Sequence, residues 1–309
     1  MAAQHPQQGV KTRICMISDT HAATPYPAIG VPFPFRLPLP SADVLFHAGD
    51  LTMSGYEAEH EKTLKMLKDA DAELKIVIAG NHDLTLDKDY YSQFRSNAPG
   101  PEHLDKIRDM YCGEEAQKHG IVYLEEGLRT FQLKNGAKFT VYASQYQPEF
   151  YDWAFMYPRT QDRFNPSDPS STFQAPNPVP SFPNVDIMLT HGPPSGVLDK
   201  VAMDTQSVGC EHLQRAVARA RPRIHCFGHI HEGYGAERVH WGEQSQTPLQ
   251  QNPKTVSENR CSYANISNDG GDALKFGEET LFVNASIMDV RYRPINAPWV
   301  VDLELPCSN

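Results

Sequence analysis

Two features of the 309-residue chain predict an α/β layered fold. Short apolar runs rich in Val and Ile recur along it, and runs of that length read as strands buried inside a sheet. Helical patterns separate several of them, and strand–helix alternation implies helices layered on sheets. A third feature bears on chemistry. Each run ends in polar residues, and in such sheets ligands collect at the carboxyl ends of strands.

The runs come in this order. "TRICMISDTH" is apolar until Ser18 and then gives Asp19 and His21. "ADVLFHAGDLT" gives Asp50 after Gly49, and "LKIVIAGNHD" gives Asn81, His82 and Asp83 after Gly80. "VDIMLTHGPP" delivers His191, and "RIHCFGHIH" delivers His229 and His231. Strand signals continue in "ETLFVNASI" (279–287) and "WVVDLEL" (299–305). Residues 56–73 place Leu64, Leu67 and Ala70 at helical spacing; 103–120 and 211–222 also read as helices, the last closed by Pro222.

Three stretches fall outside the alternation. Residues 24–40 are rich in proline and read as an extended loop. Residues 146–184 mix aromatics with proline and read as a lid. Residues 243–279 are polar and read as a mobile insertion. None reads as a domain linker, so 1–309 is expected to form one domain with insertions at 24–40, 146–184 and 243–279.

Composition excludes some classes. The formal net charge of −10 argues against general affinity for nucleic acid or an anionic membrane, since both need a basic face. The start of the chain is polar, and no run approaches the ~18 apolar residues of a membrane span. The six cysteines form no CxxC pair and read as buried free thiols in a reducing compartment. A cytoplasmic location is the expectation.

The stretch "CFGHIHEGYG" (226–235) carries the first hint of a site. In extended backbone, residues i and i+2 point to one side, so His229 and His231 project together. Gly228 removes a side chain before the pair, and Gly233 and Gly235 let the chain turn away. An isolated pair of this kind is more often a polar turn than a ligand pair. A lone strand-end Asp, Asn or His is likewise usually a turn or cap residue. The joint placement of Asp19, His21, Asp50, Asn81, His82, His191, His229 and His231 at strand ends argues for a metal site. Carboxylate, imidazole and amide oxygen without thiolate suit Mn, Fe or Zn. His47, inside a strand, and His225 read as structural. Trp153, Phe155 and Tyr157 read as core or lid packing.

The ordered series "DTH", "GD", "GNHD", "THG" and "GHIH" resembles the calcineurin-like metallophosphoesterase superfamily. The tail "FVNASIMDVRYRPINAPWVVDL" is similar to the branch of brain-type metallophosphodiesterases, related to class III cyclic-nucleotide phosphodiesterases. The resemblance implies a four-layer α/β/β/α sandwich and two metal ions. It assigns Asp19, His21 and His231 to the first ion and Asn81, His191 and His229 to the second, with Asp50 bridging. Two such cations ~3.5–4 Å apart clamp a phosphate and lower the pKa of a bridging water, whose hydroxide attacks phosphorus. His82 is then expected to contact the phosphate and protonate the leaving group. Asp83 is a candidate to orient His82; capping the following helix, or a turn role, is the equal alternative.

The implied activity is hydrolysis of a small phosphate ester, with cyclic nucleotides, other nucleotide diesters and phosphomonoesters as substrate candidates. A serine/threonine phosphatase shares the scaffold, but those enzymes resemble "GDYVDRG" and "RGNHE", whereas this chain has "GDLTMSG" and "AGNHD" and lacks both arginines. A non-catalytic binding protein on the same fold would show eroded ligand positions, and all of them are filled here.

Overall fold

The computed structural model describes residues 9–26, 33–94, 100–167, 169–201, 206–243 and 245–307. The polar start of the chain and residues 27–32 of the proline-rich loop lie outside the described residues. Two sheets form the centre. The first holds six strands in the spatial order Ser262–Asn265, Trp299–Pro306, Gly9–Ile17, Val44–His47, Leu74–Val77 and Ile121–Tyr123. The second holds seven, in the order Ser245–Pro248, Gly235–His240, Glu279–Asn284, Ile224–Phe227, Ile187–Thr190, Lys138–Ser144 and Gly127–Gln132. The strands that deliver the polar clusters run parallel to their neighbours. Their carboxyl ends therefore fall at the same edge of each sheet. Val44–His47, Ile187–Thr190 and Ile224–Phe227 are buried at every residue, which is why they read as unbroken apolar runs.

Three apolar cores separate four layers. Between the sheets, Ile14, Met16, Phe46 and Ile76 meet Val141, Leu189, Cys226 and Val283. On the outer face of the first sheet, Cys15, Ile17, Leu45 and Val77 pack with Leu64, Leu67 and Tyr111. Leu64 and Leu67 come from the helix Glu57–Asp69, and Tyr111 from the helix Pro101–Cys112. On the outer face of the second sheet, Tyr142, Met188, Phe227 and Phe282 pack with Leu213 and Val217 of the helix Glu211–Ala220. Neighbours such as Ile14 and Cys15 enter different cores because successive strand side chains alternate faces. Each such side chain, fully buried, contributes ~1.5–3 kcal/mol. The order is helix, sheet, sheet, helix: an α/β/β/α sandwich.

The helical stretch at 103–120 is in fact two helices, Pro101–Cys112 and Glu114–Lys118. Gly113 separates them; a Cβ there would lie 2.6 Å from the Asp109 carbonyl oxygen. Glu211–Ala220 ends as expected before Pro222, with Arg221 in the left-handed region.

The segment 243–279, expected to be a mobile insertion, carries two strands and a helix. Ser245–Pro248 pairs with Gly235–His240 at the edge of the second sheet. Pro253–Asn259 forms a helix, with Asn252 Oδ1 accepting from the amides of Lys254 and Thr255. Ser262–Asn265 then adds as a parallel edge strand to Trp299–Pro306 in the first sheet. Ala264 and Ile266 are buried in the inter-sheet core. Few apolar residues suffice, because backbone pairing at two sheet edges does much of the anchoring. The segment connects the sheets.

Residues 146–184 also fold onto the body. Ala154 and Phe155 pack with Leu84 and Tyr90, while Tyr157, Phe164 and Val179 enter the outer core of the second sheet. Phe35 and Leu39 pin the described end of the proline-rich loop. Cys15, Cys210 and Cys226 are buried thiols, but Cys112 is exposed, and Cys261 and Cys307 are half-buried. Among the described residues, no helix is long and apolar enough to cross a membrane.

Candidate metal centre

Within each sheet, neighbouring strand ends are stitched together by backbone. Asp19 donates its amide to the Gly49 carbonyl and His21 to the Asp50 carbonyl; Gly228 donates to the His191 carbonyl. The close approach requires glycine. A Cβ on Gly80 would lie 2.3 Å from the Asp50 amide nitrogen and Oδ1, and one on Gly228 would lie 2.1 Å from Asp19 Oδ2 and Ser18 Oγ. Asp19, His21, Asp50 and His229 adopt φ of 54, 44, 53 and 68°, the left-handed region that ordinary residues avoid. Strain concentrated this way is a mark of a functional site.

The seven expected ligands converge, all buried or nearly so. Asp50 spans the cluster: Oδ2 lies 3.6 Å from His21 Nε2 and Oδ1 lies 3.4 Å from His191 Nε2. Asp19 Oδ1 lies 3.5 Å from His231 Nε2. Asn81 Oδ1 lies 2.9 Å from His191 Nε2 and 2.8 Å from His229 Nδ1. Ligand atoms of Asp19, His21 and His231 lie within 4.8 Å of one another, as do those of Asp19, Asp50 and His191.

Backbone carbonyls orient three of the imidazoles. His21 Nδ1 faces the Thr52 oxygen at 3.0 Å, His191 Nδ1 the Ala48 oxygen at 2.9 Å, and His231 Nδ1 the Asp289 oxygen at 3.1 Å. A carbonyl only accepts, so each Nδ1 carries the proton and each Nε2 turns inward, as outer partners do in metal sites. His21 Nε2 is buried without any hydrogen-bond partner. Burial pushes His21 down to about 4 and His229 down to about 3, so both are neutral near pH 7. Burial would also lower His231, but the Asp19 carboxylate beside it draws it up to about 9. Burial works against the Asp19 charge, and the imidazoles of His231, His191 and His21 hold its carboxyl below the usual range nonetheless. The cluster thus aims lone pairs and carboxylate charge at a common space, and divalent cations satisfy that arrangement. The donor set of oxygens and imidazoles fits a hard or borderline metal.

The calcineurin-like phosphoesterase profile matches residues 12–233. The chain belongs to the calcineurin-like phosphoesterase family. Among relatives of this phosphoesterase, the human metallophosphoesterase domain-containing protein 1 (Homo sapiens) is 33% identical over 305 residues, covering 96% of this chain and 72% of that protein. A UPF0046 protein of Caenorhabditis elegans is 33% identical over 208 residues, covering 64% of this chain and 48% of the other. The probable rhamnogalacturonate lyase C of Emericella nidulans is 34% identical over 231 residues, which are 74% of this chain but 18% of that longer protein.

Two residues near the phosphoesterase centre need comment. His82 donates its backbone amide to Asp50 Oδ1 at 2.8 Å, and its Nδ1 faces the Met53 carbonyl at 2.8 Å. The Trp153 ring lies over it, with centroids 4.0 Å apart at 33°. Asp83 does not orient this imidazole. Its Oδ1 accepts from the Thr52 amide and hydroxyl, and its Oδ2 from the amides of Leu51 and Gly80. The left-handed turn at Asp50 points the Leu51 and Thr52 amides at Asp83, which braces the loop carrying Asp50 and the Thr52 carbonyl. Asp83 makes no side-chain cap to the short helix Leu84–Leu86 that follows. Burial and the Asp50 charge push its carboxyl up to about 7.

The two expected structural histidines each pair with a threonine hydroxyl. His47 Nε2 meets Thr20 Oγ1 at 2.9 Å, and His225 Nε2 meets Thr190 Oγ1 at 2.8 Å. Sequence reasoning missed Tyr292, whose ring lies 5.1 Å from that of His21 and 5.2 Å from that of His231. It also gave no role to the Asp289 carbonyl. The signal for both was the tail "DVRYRP", whose residues carry no metal-ligand pattern.

Proposed function

We propose that this phosphoesterase is a phosphodiesterase with a dinuclear metal centre, held on one side by Asp19, His21 and His231, on the other by Asn81, His191 and His229, with Asp50 between. The observation that carries the reading is the division of Asp50, one oxygen toward His21 and the other toward His191. Two bound cations supply charge to clamp the phosphate and a water made acidic enough to attack it near neutral pH. Mn, Fe and Zn are the metals that suit the donors.

The chain's own groups do the rest. His21, His191 and His231 are locked by carbonyls, so the site is organised before substrate arrives. His82 keeps Nε2 for substrate because Met53 takes Nδ1. In this reading the imidazolium form of His82 hydrogen-bonds the phosphate through Nε2–H and gives that proton to the leaving oxygen, returning to the neutral ring with its proton on Nδ1. Phosphodiester specificity is supported by charge. The runs "GDLTMSG" and "AGNHD" that carry Asp50 and Asn81 contain no arginine or lysine. A monoester dianion calls for additional fixed cations, whereas a diester carries a single negative charge. The substrate is a small phosphate ester, with nucleotide diesters among the candidates.

Hydrolysis of bis-p-nitrophenyl phosphate and p-nitrophenyl phosphate, each with Mn, Fe, Zn and Mg, tests this reading. The diester should be the better substrate by kcat/KM. A monoester preferred under every metal would reject diester specificity.

A further inference from the structure

Tyr292 sits in a turn built to hold it in an unfavourable conformation. Its φ is 54°, costly for a bulky aromatic residue. Asp289 locks the turn. Its Oδ1 accepts from the amides of Arg291 and Arg293, both at 2.9 Å, and its Oδ2 from Arg293 Nε at 2.7 Å. The backbone closes on itself as well, Tyr292 donating to the Asp289 carbonyl and Asp289 to the Arg293 carbonyl. The same Asp289 carbonyl faces His231 Nδ1. One turn thus orients a ligand imidazole and places a phenol beside it.

The phenol reaches the reacting region. Its ring lies 6.0 Å from His82 as well as close to His21 and His231, and all three contacts are steep, at 65–80°. Among the described residues, no ring stacks parallel on it, and the side chain is 45% exposed. A core residue would bury more of so large an aromatic group. Trp153 lies against His82 as well. An alcohol leaving beside His82 therefore departs near two aromatic surfaces.

We propose that Tyr292 touches the substrate and selects the departing alcohol, favouring a planar aromatic one; this rests on the diesterase reading above. An aromatic group can lie against the phenol while His82 Nε2 reaches its ester oxygen. A branched aliphatic alcohol gains much less from the same surface.

The test compares methyl phenyl phosphate with methyl hexafluoroisopropyl phosphate, whose leaving alcohols are similar in acidity but only one of which is flat. The wild type, Tyr292→Ala and Tyr292→Phe are assayed on both, and bound metal is measured for each. In Tyr292→Ala the aryl-to-alkyl ratio of kcat/KM should fall about tenfold, the size of a lost stacking contact. Metal content should stay at the wild-type level, and Tyr292→Phe should keep the ratio. An unchanged ratio in Tyr292→Ala would overturn the inference, as would equal loss on both substrates accompanied by loss of metal. A wild type inert toward both diesters would instead reject the diesterase reading itself, and this inference with it.

Discussion

His191 presents Nε2 to Asn81 Oδ1 at 2.9 Å while its Nδ1 faces the Ala48 carbonyl at 2.9 Å. With Nδ1–H donating to that carbonyl, the metal-ligating form of the imidazole carries a lone pair on Nε2. An amide oxygen carries lone pairs as well. Two acceptors this close in a buried site call for a positive charge between or beside them. A metal cation meets that need and leaves the neighbouring Asp50 ionised.

Loss of Asp50 and loss of His82 should have different consequences. Asp50 faces both halves of the cluster, so Asp50→Ala should deplete bound metal and rate together. His82→Ala should lower kcat by ~10²–10⁴, the range for general acid–base groups, with metal content near wild type. The ligand atoms of His21, Asp50 and His82 also lie within 4.8 Å of one another, so His82 is near enough to coordinate. Metal analysis of the purified variants decides. Depletion in His82→Ala equal to that in Asp50→Ala would make His82 a ligand.

Trp153 and Tyr157 should separate by location. Trp153 lies on the His82 ring, so Trp153→Ala should lower kcat about two- to tenfold, the size of an aromatic contact, with little change in folding stability. Tyr157 is 2% exposed, with its hydroxyl on Cys210 Sγ. Tyr157→Ala should cost about 3–5 kcal/mol of stability, as truncation of buried aromatics does. Urea denaturation beside steady-state kinetics would show the reverse pattern if Trp153 were only structural.

The connecting segment 243–279 should matter to the fold. Ile266 is 3% exposed in the inter-sheet core, directly after the edge strand Ser262–Asn265. Ile266→Ala should destabilise the protein by about 2–5 kcal/mol in equilibrium unfolding. A change below about 0.5 kcal/mol, typical of surface sites, would return the segment to a mobile insertion.

The sequence revealed the layers and the ligands because both leave local signals. A strand such as "IMLT" is buried on both faces and therefore apolar throughout, and the ligand follows it immediately as His191. The role of 243–279 was hidden because edge strands such as "SQTP" and "SYAN" join a sheet through backbone pairing and need few apolar side chains. Sequence left the role of Asp83 open between orienting His82 and a cap or turn, because adjacency to His82 says nothing about direction; the left-handed turn at Asp50 brings the Leu51 and Thr52 amides to it across more than thirty residues of chain. Tyr292 and the Asp289 carbonyl were invisible for a related reason. A backbone oxygen has no sequence signature, and a strained tyrosine looks like any other.

The most direct measurement follows bound metal and hydrolysis together. Protein stripped by chelation is titrated with Mn while bis-p-nitrophenyl phosphate turnover and metal content are read from the same samples. Turnover should vanish on stripping and return as occupancy approaches about two ions per chain. Turnover that survives thorough stripping, with no metal bound, would contradict a metal-dependent centre built from these seven residues.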